Sequence, residues 1–225
     1  MNSRVRFGVS AFTAALLAIA LPSCSASRPA SLPSSVRRDA PINAVMVGDG
    51  ASLSFRGPIT VTNSWPQLFF REALPRNATF VNLATFFATT GEARDREGAV
   101  LAPLHANLVM VFVGFRDFEE NVPVAKFASD LAGLLDDIRR AGVRKVLLAI
   151  PPTPDRKLVA YASVVARSAA MAHGALAITA VDLRPLALSY VPDTSERFIP
   201  TVESQRTIAD AFIAAYKKIA PSATP

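Results

Sequence analysis

Three short stretches hold the side chains capable of chemistry. Val47-Gly48-Asp49-Gly50 closes one apolar run, Gly114-Phe115-Arg116-Asp117 closes another, and the segment from Asp193 to Pro200 carries Glu196. Asp49, Arg116, Asp117 and Glu196 together would make a charged mouth, and carboxylates held in unlike surroundings can run acid–base chemistry. The same set is inert if Arg116 neutralises its neighbours, and an Asp in a tight strand-to-helix turn also caps backbone N–H groups. A nucleophile would have to be Ser52 or Ser54, just beyond Gly50, although both also suit a turn or a helix cap. Such a serine needs a base within about 2.6–3.2 Å. The histidines are His105 and His173, each placed just before an apolar run, so both belong on the far side of any sheet from that mouth. Two histidines and one cysteine leave little for a zinc or iron site, and no phosphate loop or dinucleotide fingerprint is present, so no metal or cofactor is expected. Phe86, Phe87, Phe115 and Phe118 suggest an apolar lining for a small apolar or sugar-like ligand. The candidate pocket is therefore Asp49, Ser52, Phe87, Arg116, Asp117 and Glu196.

The elements that must position these groups alternate. Apolar runs at Ala44–Val47, Thr79–Leu83, Asn107–Val113, Lys145–Ile150 and Leu176–Leu183 predict five strands buried on both faces. Ser64-Trp65-Pro66 starts a helix, with Ser64 as N-cap and Pro66 in the first turn. Amphipathic periodicity predicts further helices over Val124–Ala141, Leu158–Ala172 and Thr207–Ile219. The pattern is α/β: a three-layer α/β/α sandwich on a five-stranded parallel sheet of flavodoxin-like type, with ligands beyond the strand C-termini.

This order of blocks, over Ile42 to Ile219, resembles the SGNH hydrolases, also called GDSL-type esterases and lipases. The family opens on a Gly-Asp-Ser turn whose serine is the nucleophile; here the turn is Gly48-Asp49-Gly50. Ser64-Trp65-Pro66 matches a helix start found in many members. The second family block has an oxyanion-binding glycine; in Asn82-Leu83-Ala84 to Ala88-Thr89-Thr90 that place is Phe87. The third ends in Gly-x-Asn-Asp with an oxyanion-binding asparagine; Gly114-Phe115-Arg116-Asp117 puts Arg116 there. The last, Asp-x-x-His-Pro, aligns with Glu196 to Pro200, so the histidine position is Ile199; Asp193 is an alternative for the aspartate. The resemblance thus implies the fold with no catalytic residue intact at Gly50, Phe87, Arg116 and Ile199. Removing such a nucleophile or base costs about a millionfold in turnover. It implies a binding or assembly role, the alternative being an active acyl or acetyl ester hydrolase with a relocated nucleophile.

The N-terminus reads as an export signal. Arg4 and Arg6 precede an apolar stretch from Phe12 to Leu21, and Leu21-Pro22-Ser23-Cys24 resembles a bacterial lipobox, so residues 1–24 would be a signal ending at a lipidated Cys24. The alternative is a secretory signal cut near Ser25-Ala26-Ser27. Residues 25–40, rich in Ser, Pro, Ala and Arg, read as a flexible tether, 41–220 as the domain, and 221–225 as a disordered tail. The expectation is an exported lipoprotein anchored in the bacterial envelope, periplasmic or extracellular. Its partners would be the membrane, a small-molecule, glycan or acyl-ester ligand, and an envelope protein. The net charge of the full chain is +6, its basic residues look scattered apart from Arg37-Arg38, and none cluster with aromatics, so nucleic acid is not expected.

Overall fold

A strand covered on both faces must be apolar along its whole length, and five segments meet that condition. The computed structural model describes residues 41–53, 59–171, 173–192 and 197–220. Contacts divide the chain into Met1–Arg38 and Asp39–Pro225, and every described residue belongs to the second unit. The signal with Cys24, the tether, Ser54, Asp193, Glu196 and the tail lie outside the described residues.

The strands are β1 (Asn43–Gly48), β2 (Thr79–Asn82), β3 (Leu108–Phe112), β4 (Lys145–Ile150) and β5 (Ala177–Asp182). They form one parallel sheet in the order β2-β1-β3-β4-β5. The helices are α1 (Trp65–Ala73), α2 (Thr90–Arg96), α3 (Phe115–Glu119), α4 (Val124–Arg140), α5 (Leu158–Ala170) and α6 (Val202–Lys217). Alternate strand residues feed two separate cores. Met46, Met110, Phe112 and Leu147 pack with Trp65 and Phe69 of α1 and Phe212 of α6. Val45, Val47, Val111 and Leu148 pack with Leu131 and Leu134 of α4 and Val165 of α5. The result is the expected α/β/α sandwich. Among the described residues no helix is long and apolar enough to cross a membrane.

Three elements differ from the sequence reading, and one is α3, a helix at Phe115–Glu119 that the periodicity gave no sign of. The last helix begins at Val202, not Thr207, because Thr201 caps it and accepts a hydrogen bond from the Ser204 N–H. The stretch Thr90–Arg96 is a helix behind a capping box: the Thr89 hydroxyl accepts from the Glu92 N–H, and the Glu92 carboxylate accepts from the Thr89 N–H.

The tightest approach lies at the exit of β1. Gly48 pairs with Phe112, and a Cβ at Gly48 would stand 2.3 Å from the Phe112 carbonyl oxygen. That neighbour is backbone and cannot turn aside. Gly48→Ala should therefore cost about 3 kcal/mol of stability, read as a lowered denaturant midpoint at unchanged slope.

Candidate functional site

Strand order reverses between β1 and β3, and in such sheets the crevice beyond the strand C-termini at the reversal is the place for a ligand. β1 leaves the sheet through Asp49, which caps a 3₁₀ turn over Gly50–Ser52. One carboxylate oxygen of Asp49 accepts from the Ala51 N–H at 3.1 Å, the other from the Phe115 N–H at 3.2 Å. Asp49 is buried and so ties the exit of β1 to the start of α3. The Trp65 indole donates to the Ala51 carbonyl at 3.1 Å, and the Asn82 amide to the Ser52 carbonyl at 2.9 Å. Ser52 is fully buried, and its hydroxyl has no hydrogen-bond partner among the described residues. It lies inside the turn rather than on a solvated surface.

Beyond β2, Phe87 has φ 61°, the left-handed region that suits glycine and costs another residue about 1–2 kcal/mol. Phe87 is 38% exposed, and the Arg116 guanidinium sits 5.1 Å from the ring centroid. Beyond β3, Gly114 at φ 114° turns the chain into α3. Arg116 pairs along its own helix with Glu119 at 3.2 Å and with Glu120. Asp117 is buried and accepts from the Thr90 N–H at 3.0 Å and the Thr90 hydroxyl at 2.7 Å, which pins α2 to α3. Burial still raises its carboxyl above the ordinary range. Ile199 is buried, with its carbonyl accepting from Val191 at 2.8 Å. Beside it Phe198 stacks on Phe115 at 4.6 Å, and Tyr190 meets both rings edge-on.

The charged mouth expected from Asp49, Arg116 and Asp117 is therefore not assembled. Both aspartates turn inward to backbone N–H groups and Thr90, and Arg116 is occupied by Glu119 and Glu120. The space between Asp49, Gly50, Phe115, Arg116, Glu119 and Phe198 is about 10 Å³, roughly one water. On the outer side of Phe87 and Arg116 lies an open groove of about 730 Å³, flanked by Thr89, Glu92, Lys126 and Asp130. Both histidines sit at the opposite edge of the sheet. The His105 carbonyl accepts from the Asn43 side chain where β1 begins, and His173 Nε2 is 2.7 Å from the Ser168 carbonyl just before β5.

One buried group was missing from the sequence reading. Glu97 is 3% exposed and accepts from the Gly48 N–H at 2.8 Å. Its other oxygen has no partner among the described residues. Burial pushes its carboxyl up to about 8. A single Glu in a polar stretch gives no signal of this; only the capping box at Thr89 and Glu92, which starts the helix before it, was available.

The order β2-β1-β3-β4-β5 with helices on both faces defines a doubly wound, flavodoxin-like domain. No protein-family model and no curated protein matches the sequence, but solved structures match the fold. The chain is similar to a protein of the G-D-S-L family from Desulfitobacterium hafniense DCB-2, at 17% identity and TM-score 0.58, over 77% of this chain and 98% of that one. It is similar to the lipase/acylhydrolase from Enterococcus faecalis, at 17% identity and TM-score 0.63, over 82% and 100%. It is also similar to a psychrotrophic esterase from Pseudoalteromonas sp., at 18% identity and TM-score 0.60, over 79% and 97%. The domain has the SGNH hydrolase fold.

Glu97 yields a pH dependence with a definite sign. Its folded pKa lies above the 4.5 of a free carboxyl, so the folded chain keeps a proton that the unfolded chain releases. Stability should be highest below about pH 4.5, fall as pH rises towards about 8, and level off above, from this group alone. The loss across that window should be a few kcal/mol. Glu97→Gln, neutral throughout, should flatten the slope in denaturant titrations run from pH 5 to 8.

Proposed function

We propose that this is a lipid-anchored protein of the bacterial envelope whose SGNH-fold domain binds a ligand or partner and hydrolyses nothing by the family's route. One observation carries the reading. The positions that the resemblance assigns to nucleophile and base hold Gly50 and Ile199, both buried and neither able to donate or accept a proton through a side chain. No histidine of the described residues stands at that edge of the sheet to replace the base. Arg116, at the asparagine position, has a longer and permanently charged side chain that cannot copy a short amide donor. Its pairing with Glu119 and Glu120 also leaves it little charge to offer an oxyanion. The left-handed φ of Phe87 fits a position that the family fills with glycine.

The space between Gly50, Phe115 and Phe198 is about the size of one water, and the groove outside Phe87 and Arg116 offers the larger surface for binding. That groove offers a half-exposed aromatic ring beside paired charges, a combination suited to a glycan or another polar ligand with one apolar face. The lipid anchor rests on Cys24 within Leu21-Pro22-Ser23-Cys24, and the export signal on the residues before it.

The full chain, in mild detergent and confirmed folded by circular dichroism, should be treated with a fluorophosphonate probe and short-chain aryl esters. No serine adduct by mass spectrometry and no turnover above buffer are expected. Gly50→Ser alone should also stay inactive, since Ile199 leaves the new hydroxyl without a base. An adduct on Ser52 or Ser54, lost together with turnover on substitution by Ala, would establish an ester hydrolase with a relocated nucleophile and overturn the proposal.

A further inference from the structure

We propose that the edge of the domain formed by the strand N-termini is a docking surface for anionic lipid headgroups. It rests on the anchored reading above and adds an orientation to it. Because the five strands are parallel, their first residues share one edge, and the register Thr79–Asn43, Ala44–Leu108–Lys145–Ala177 sets them side by side. Helices returning from the far edge end here, and the Lys145 ammonium ties down the end of α6 by donating to the Ile219 carbonyl at 2.8 Å.

Basic residues that look scattered along the sequence gather on this edge. Arg76 stands in the turn into β2 and Arg144 immediately before β4; Arg167 lies near the end of α5, and Lys217 and Lys218 end α6. All five are exposed, and none pairs with a carboxylate among the described residues. The acids nearby are already taken. Asp136 and Asp137 pair with Arg139 and Arg140, and Glu72 with Arg206. At the opposite edge Arg116, Arg184 and Arg197 each have a carboxylate partner, and Arg156 and Lys157 are the exposed cations without one among the described residues. Helix dipoles favour cations at Arg167, Lys217 and Lys218, but they give no reason for Arg76 and Arg144 in strand-entry turns.

The chain enters the domain at the same edge. The Asn107 side chain donates to the Pro41 carbonyl at 2.9 Å, beside the first residues of β1 and β3. Sixteen residues separate Cys24 from Pro41, and they include Arg37-Arg38. A coil of that length spans roughly 20–25 Å, and fully extended it reaches about 60 Å. An anchor at Cys24 would therefore hold the cationic edge, rather than the groove, against the bilayer. Exposed Lys and Arg within a Debye length of an anionic leaflet are attracted to it in a salt-dependent way. The groove beside Phe87 and Arg116, at the other end of the strands, would then face away from the membrane.

The test uses the full chain carrying Cys24→Ser, so that no lipid contributes, in vesicle flotation. Vesicles of phosphatidylcholine are compared with vesicles holding about 30% phosphatidylglycerol. Binding to the anionic vesicles should be at least tenfold tighter and should be lost between about 50 mM and about 500 mM salt. Substituting Arg76, Arg144, Arg167, Lys217 and Lys218 by Gln should bring it down to the phosphatidylcholine level. Substituting Arg156, Lys157 and Arg184 by Gln, at the opposite edge, should leave most of it. Equal binding to both vesicle types, or unchanged binding by the five-fold variant, overturns the proposal. So does tighter, salt-sensitive retention on a soluble polyanion such as heparin than on the anionic vesicles. The anchor is read separately, from the mass of Cys24 in protein isolated from bacterial membranes. An unmodified cysteine would remove the anchor while leaving the vesicle result to stand or fall by itself.

Discussion

The backbone contact between Gly48 and Phe112 constrains everything around the mouth of the sheet. With no Cβ at Gly48, β1 can leave the sheet close against β3, and the next residue, Asp49, then reaches both its own turn and the first N–H of α3. Glu97 closes the third side by accepting from the Gly48 N–H, and the Thr85 N–H donates to the Gly48 carbonyl, so β1, the stretch after α2 and the loop carrying Thr85 meet at Gly48. Burial pushes that carboxyl up to about 8, towards the neutral form that costs less to bury. The exit of β1 is thus held from three sides, and Gly50 presents no side chain beyond it.

The space above that exit is filled by aromatic rings. Phe115, Phe198, Tyr190 and Phe118 form a continuous cluster, each ring within 6.1 Å of a neighbour, and pairs of this kind add about 0.5–1.5 kcal/mol beyond the area they bury. The closure follows from the residue types themselves. Phe198 and Ile199 are both apolar enough to fold inward, where a histidine would have to keep one nitrogen turned to the reacting group.

The sheet could be read from the sequence because its strands are buried on both faces and their apolar runs have no competing interpretation. All five appear within one or two residues of the expected bounds. Helices α4 and α5 were equally plain from their periodicity. The start of α6 was not, because after Val202 its first turn runs Glu203-Ser204-Gln205, which is polar and breaks the apolar periodicity. The site was harder to read. Residue types placed Asp49, Arg116 and Asp117 at one mouth, but no spacing rule says which way a carboxylate turns. The partners that decide it, the Phe115 N–H and Thr90, lie far away in sequence. The burial of Ser52 and Glu97 is likewise a property of the assembled layers and leaves no local mark.

The chain contains a single tryptophan, Trp65, and its position makes it an optical reporter. Its indole is fully buried, stacks on Phe212 at 4.2 Å and donates its N–H to the Ala51 carbonyl within the Asp49–Ser52 turn. An indole held this way should emit at short wavelength, and its emission should redden when that turn opens or admits water. Fluorescence of the unlabelled protein therefore follows the state of the mouth directly, with no probe attached and no turnover required.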